Sequence, residues 1–323
     1  MKKAVVIGGG TGTFVVLSAL KELADVDLTA IVTVADSGGS TGRLRDEFGF
    51  QPVGDLRQGL AALASGEKNW IRELLLYRFS RGQGLEGHNL GNLILTALQD
   101  MTGSTAKAVG IASKIFRLHG HIYPITTKSI QLVAEYRDGS VEIGEHIIDD
   151  SVKHGGDRIV SLKTSPRAKI YPPAAAAIKS ADAIIIGPGD LYSSILPDLI
   201  IEGSVEAIKS FKGKFIYIMN LMTRYSQTHN MSANDHLKTV EVYSKRKADV
   251  VIVNSEKIPA AILSAYRKQH EYPVADDLAG DSRVMRLPLI KTTLVKQFPN
   301  DLVRRSYLRH DAEKLRRVLK GVI

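Results

Sequence analysis

Ala4-Val5-Val6-Ile7-Gly8-Gly9-Gly10-Thr11-Gly12-Thr13 decides the fold. Four apolar residues rich in β-branched types read as a buried strand, and four glycines within five positions end it. Val15, Val16, Ala19, Leu20 and Leu23 then recur at helical spacing. A strand, a tight glycine turn and a helix aim backbone N–H groups and the positive end of a helix dipole at one point, which suits a phosphate. Glycine is required where a Cβ would hold the anion off. The dinucleotide pattern G-x-G-x-x-G fits Gly8 and Gly10 but meets Thr13 where its third glycine belongs. No Gly-Lys-Ser or Gly-Lys-Thr follows, which excludes a P-loop.

Outward from this turn, a second strand over 28–34 runs into Ala35-Asp36-Ser37-Gly38-Gly39-Ser40-Thr41-Gly42-Arg43-Leu44-Arg45. Asp36 stands where dinucleotide folds bind a ribose hydroxyl, and an acid there could also hold a cation or act as a base. Gly38 and Gly39 add N–H donors, and Arg43 or Arg45 can pair with phosphate. Asp55 reads as the N-cap of a helix over 56–64 ended by Gly66. Gly87-His88-Asn89-Leu90-Gly91-Asn92 opens another helix, where side-chain amides cap the backbone or meet a ligand. Asp138-Gly139 predicts a two-stranded β-hairpin, within an insertion over about 128–165. The α/β rhythm then resumes. A strand over 183–186 ends in Gly187-Pro188-Gly189-Asp190-Leu191-Tyr192-Ser193-Ser194, a second turn of anion-binding character. Later strands end at Asn220 and Asn254, and these with Asp36 predict one crevice at the carboxyl edge of a parallel sheet.

At 44% hydrophobic and 24% charged residues, the 323-residue chain can bury a sizeable core, and it is expected to form a single α/β domain over 1–323. The absence of cysteine excludes disulfides and thiolate chemistry. Met1-Lys2-Lys3 before an apolar run imitates a signal peptide, but the glycines break that run and no small-residue cleavage site follows, so a cytoplasmic protein is expected. His119 and His121, with no neighbouring acid or thiol, do not make a metal-site pattern. The formal charge of +9 is concentrated at the end. From Arg283 to Ile323 eleven Lys or Arg face only Asp301, Asp311 and Glu313, a balance of +8. Few aromatics interleave with these charges, which argues against nucleic acid and leaves a solvated face or a contribution to an anionic ligand site.

Taken in order, the motifs resemble the CofD-like superfamily. They include Ile7–Gly12, Val34–Arg45, Gly54-Asp55-Leu56-Arg57-Gln58, Gly87–Asn92, Gly187–Tyr192, Asn220-Leu221-Met222-Thr223 and Arg309-His310-Asp311. The similarity is to its bacterial gluconeogenesis-factor branch (YvcK type), related to the 2-phospho-L-lactate transferases. The resemblance implies a Rossmann-like, mostly parallel sheet with helices on both faces. It further implies a site for a UDP-sugar such as UDP-N-acetylglucosamine, or another nucleotide diphosphate, and a role in cell shape and wall synthesis during gluconeogenic growth. By that resemblance Gly8, Gly9, Gly10, Thr11, Gly12, Thr13, Gly187, Pro188 and Gly189 line the phosphates. Asp36, Ser37, Asn89, Asn92, Asp190, Tyr192, Asn220, Thr223, Asp235 and Arg309 complete the site. No turnover is expected in that branch. The alternative is a phosphotransferase in which Asp36 binds Mg2+ or takes a proton from an acceptor hydroxyl. No membrane insertion is expected, and a homo-oligomer is compatible with the sequence. Ser37 stands where the superfamily carries a second acid, and Arg224–His229 departs from its usual Gln-Pro-Gly-Glu-Thr.

Overall fold

The computed structural model describes residues 1–65, 70–150, 154, 156–291 and 307–323. Gly66, Lys296, Asp301, Arg304 and Arg305 lie outside these. The opening run forms β1 (Lys2–Ile7) and α1 (Gly10–Leu20). After β2 (Val26–Val32) come α2 (Gly39–Phe48), α3 (Gly54–Leu63), α4 (Trp70–Leu76), α5 (Leu90–Thr102) and α6 (Thr105–Ile115), then β3 (His121–Pro124). The insertion comprises β4 (Gln131–Tyr136), β5 (Val141–Ile143), α7 (Glu145–Asp150) and β6 (Ile159–Ser165). Then follow α8 (Pro172–Ser180), β7 (Ala183–Ile186), a π-helical turn over Leu191–Ile195, α9 (Leu196–Leu199) and α10 (Ser204–Ser210). The chain continues through β8 (Lys214–Ile218), α11 (Ala233–Ser244), β9 (Val250–Asn254), α12 (Ala260–Arg267), β10 (Val284–Leu287) and α13 (Ala312–Val322).

Seven strands form one parallel sheet in the order β10-β9-β8-β7-β1-β2-β3. Ala4–Ile7 and Ala183–Ile186 at its centre are buried, because helices cover both faces and leave no solvent side for polar residues. The chain winds outward from β1 through β2 to β3, then returns to β7 on the other side of β1. Connections from the two strands diverge there, and a crevice opens at their carboxyl ends.

The insertion differs from the expected hairpin. Gly139 turns the chain as predicted, with φ of +84°, but Gly144 at φ +106° ends the second strand at Ile143 and feeds α7. β6 adds a third antiparallel strand beside β4. At the other end of the chain, α13 buries Leu315, Leu319 and Val322. That i, i+4, i+7 stripe packs the helix against α1. The docking fixes the segment before α13, Leu308–His310, beside the glycine turn.

One buried group carries a stability prediction. Asp198 on α9 is fully buried, and neither carboxylate oxygen has a hydrogen-bond partner among the described residues. Burial, and secondarily the Asp55 charge, pushes its pKa well above the usual carboxylate range. The folded pKa therefore exceeds the unfolded value of about 4, so full stability is present below that value and drains away as pH rises. Asp198→Asn should stabilise the protein by roughly 2 kcal/mol near pH 8 and by little near pH 4. Denaturant unfolding at both values checks this, and an equal gain at both would contradict it.

Candidate functional site

The glycine turn uses most of its own donors. Gly8 N–H bonds the Ile31 carbonyl (3.1 Å) and Gly9 N–H the Ser194 carbonyl (3.0 Å), while Gly10 N–H is accepted by the Asp55 carboxylate. The first turn of α1 has no side-chain cap, so Thr11 and Gly12 present the N–H groups that a helix start leaves over. They face a cleft between the two glycine loops and the C-terminal segment. Across it lies the second loop, where Gly187 takes φ +75° and the Gly187–Pro188 bond is cis. Asn220, following β8, pins that loop through Nδ2 to the Gly189 carbonyl (2.7 Å). Asp190, Ser194, Thr223, Arg224, Tyr266, Glu271, Arg309 and His310 supply further polar and aromatic lining. Burial pulls the His310 pKa down to about 4, so this ring is neutral at physiological pH.

Three acids lie on the β2 side of the turn. Asp36 follows β2, with its carboxylate against Gly54, and it accepts from Gly38 N–H (3.0 Å) and the Thr41 hydroxyl. Asp55, in the first turn of α3, lies against Gly9. Glu145, the first residue of α7, accepts from Ser37 N–H (3.3 Å). Desolvation raises all three pKa values, opposed at Asp36 by its hydrogen bonds and by Arg57. At Asp55 burial and the Asp36 charge raise the value to about 7, and at Glu145 the neighbouring acids add to burial. Burial and mutual repulsion thus favour the protonated forms within the cluster. Among the described residues no three Asp, Glu or His side chains stand close enough to hold a metal ion. Mg2+ held through nucleotide phosphates needs only one or two protein carboxylates, so Asp36 and Asp55 are the residues that would hold it in the transferase alternative.

The other expected site residues divide. Asn220, Thr223, Asp190 and Arg309 line the cleft with Gly10–Gly12, Pro188 and Gly189. Asn254, expected in the same crevice, instead bonds Glu256 and the Leu289 N–H. Ser37 fastens the insertion, its Oγ accepting from His146 N–H (2.8 Å), while Gly38 caps α2 and Gly39 begins it. Arg43 reaches the Glu86 carbonyl (3.4 Å). Asn89 caps α5. Asn92 accepts from Arg57 Nε (2.8 Å) and donates to the Ser40 and Thr41 hydroxyls. Both amides are buried and tie three helices together. Tyr192 donates to the Ile159 carbonyl of β6 (3.3 Å), and Asp235 closes a capping box with Ser232 and pairs with Arg158 (3.1 Å).

Asp55 is not the N-cap expected of it: Val53 holds that position without a side-chain bond. Its Gly-Asp-Leu sequence admitted a cap, and only the approach to Gly9 reveals the other role. Glu145, Arg224, Tyr266 and Glu271 carried no local signal, since each reaches the site through the tertiary fold. The basic tail is largely paired: Arg283 with Glu241 and Asp281, Arg286 with Asp276, Lys314 with Glu256, Arg316 with Glu313. Arg309 is the one that lines the cleft among the described basic residues from 283 onward.

A glycine turn at the switch point of a parallel sheet, its helix start facing a cleft, defines a Rossmann-like α/β protein. The chain belongs to the CofD family: the family described as 2-phospho-L-lactate transferase CofD matches residues 4–295. It is 39% identical over 323 residues to the gluconeogenesis factor of Bacillus subtilis, spanning 99% of this chain and 98% of that one. To the gluconeogenesis factor of Listeria innocua it is 40% identical over 262 residues, 81% of this chain and 80% of the relative. The crystal structure of a Bacillus halodurans protein superposes with a TM-score of 0.87 at 35% identity, covering 99% of both chains. Among the described residues no helix is long and apolar enough to cross a membrane.

Proposed function

We propose that this chain is a cytoplasmic regulator that binds a nucleotide sugar of the UDP-N-acetylglucosamine kind and serves cell shape and wall synthesis during gluconeogenic growth. The observation that carries this is the cleft at the β1/β7 switch point, where Thr11 and Gly12 N–H groups oppose a wall containing Tyr266 and Arg309. A diphosphate suits the helix start, a guanidinium adds charge-assisted bonds, and an aromatic ring offers a face to a base. The gluconeogenesis-factor names of the full-length relatives support the physiological part.

Calorimetric titration with UDP-N-acetylglucosamine, with and without Mg2+ and beside GDP, tests the proposal. Saturable, metal-independent binding with the ligand recovered intact is expected. Arg309→Ala should weaken that binding at least roughly tenfold, the loss of one charge-assisted contact. Unchanged affinity in this variant would remove the C-terminal segment from the site.

The second reading is phospho-group transfer, favoured by the acid cluster beside the phosphate cradle and by the family's description. Asp36 or Asp55, ionised, would take the proton of an acceptor hydroxyl as its oxygen attacks phosphorus and the nucleotide phosphate leaves. Preference for GDP with turnover, lost in Asp36→Asn without loss of fold, would select this reading.

A further inference from the structure

Arg224 is held unusually firmly for a cleft residue. It is 9% exposed, and its Nη2 meets Asp149 Oδ2 at 2.6 Å while Nη1 lies 3.6 Å from Glu271 Oε1. Asp149 comes from α7 of the insertion, and its other oxygen accepts from Gln227 Nε2 (2.9 Å) while its carbonyl accepts from Ser226 Oγ (2.7 Å). Gln227 is in turn fixed to Ser193 Oγ (3.0 Å) and Tyr192 N–H (3.0 Å). The guanidinium plane is therefore locked from two sides. Its Nε–H is buried and has no hydrogen-bond acceptor among the described residues.

We propose that Arg224 is a specificity-determining residue of the cleft, donating its Nε–H to an uncharged oxygen of the ligand, a carbonyl or hydroxyl beyond the phosphates, with Asp149 as its positioning residue. The inference rests on the nucleotide-sugar reading and names what the site recognises in that ligand. A buried donor demands a partner, and a ligand supplying one is selected over a ligand that does not. The charge around Arg224 says which kind of oxygen. Burial works against its charge, but the carboxylates of Asp149, Asp190 and Glu271 outweigh that and keep it cationic. Three acids about one guanidinium leave a negative excess, which disfavours a phosphate and tolerates a neutral acceptor. The phosphates have their own donors at Thr11 and Gly12 on the opposite wall.

Dissociation constants for UDP-N-acetylglucosamine and for inorganic pyrophosphate separate the contributions. Arg224→Lys keeps the charge without Nε and should weaken the nucleotide sugar about tenfold while pyrophosphate stays within about twofold. Asp149→Asn should shift the same ratio in the same direction by a smaller factor, and Asp149→Glu should restore part of it, which a purely structural loss would not do. Should Arg224→Lys fail to fold, Arg224→Gln reports the same ratio. Unchanged affinity for the sugar nucleotide, or equal losses for both ligands, overturns the assignment. A wild-type protein that binds pyrophosphate but no nucleotide sugar overturns the parent reading instead.

Discussion

Gly12→Ala should abolish nucleotide-diphosphate binding, by at least roughly a hundredfold, and cost the fold on the order of 2–3 kcal/mol. A Cβ at Gly12 would lie 2.6 Å from the Pro188 carbonyl carbon, nearer still to its oxygen, and 3.2 Å from Gly189 N. These are backbone atoms, so no rotamer change relieves the overlap. The two loops would have to part, and they form facing walls of the cleft. Gly110 is the control: it lies exposed in α6, and a Cβ there meets nothing within 4 Å. Gly110→Ala should be neutral or gain up to about 1 kcal/mol from helix propensity, with binding unchanged. Denaturant unfolding and calorimetry on both variants check the pair. Normal ligand affinity in Gly12→Ala would place the anion site elsewhere.

The strand-turn-helix around Gly12 was legible, because a run of glycines between an apolar strand and a helical pattern marks a tight turn. The same local logic found β7 with its Gly-Pro-Gly turn and the polar strand end Asn220, each written within a few consecutive residues. It did not foresee that Asn92, Arg43 and Asp235 carry helix-to-helix bonds, a loop anchor and a cap. It could not find Glu145 or Arg224. Glu145 meets Asp36 only because the insertion folds back across the sheet edge, and Arg224 acquires its meaning from Asp149, 75 residues earlier. β3, β10, α10 and α12 were unforeseen for a related reason. They are short, and tertiary packing fixes them more than local pattern does.

Asp55 supplies the second large effect, because its pKa of about 7 puts a charge change beside the anion cradle within the physiological range. Its carboxylate already accepts the Gly10 N–H, the donor next to those of Thr11 and Gly12. Below about pH 7 the group is largely protonated, and above it a full negative charge faces the diphosphate. With chelator present, wild-type affinity for UDP-N-acetylglucosamine should fall roughly tenfold between about pH 6 and about pH 8. Asp55→Asn keeps an acceptor for Gly10 and removes the charge, so its affinity should be nearly flat with pH and about tenfold tighter than wild type at the upper end. Stability runs the same way: the folded pKa lies above the unfolded value of about 4, so wild type loses stability as pH rises through 7, and Asp55→Asn should lose less. The charges facing Asp55 are Asp36, Asp190, Glu145, Asp198 and Arg57, and Asp36→Asn should lower the midpoint of the wild-type curve, since it removes the neighbouring anion that raises it most. Mg2+ turns the experiment into a choice between the two functions. If ionised Asp55 recruits the cation, added Mg2+ reverses the slope, affinity climbs with pH, and Asp55→Asn loses the gain, which would favour phospho-group transfer. On the regulator reading the expected result is a slope that Mg2+ leaves falling.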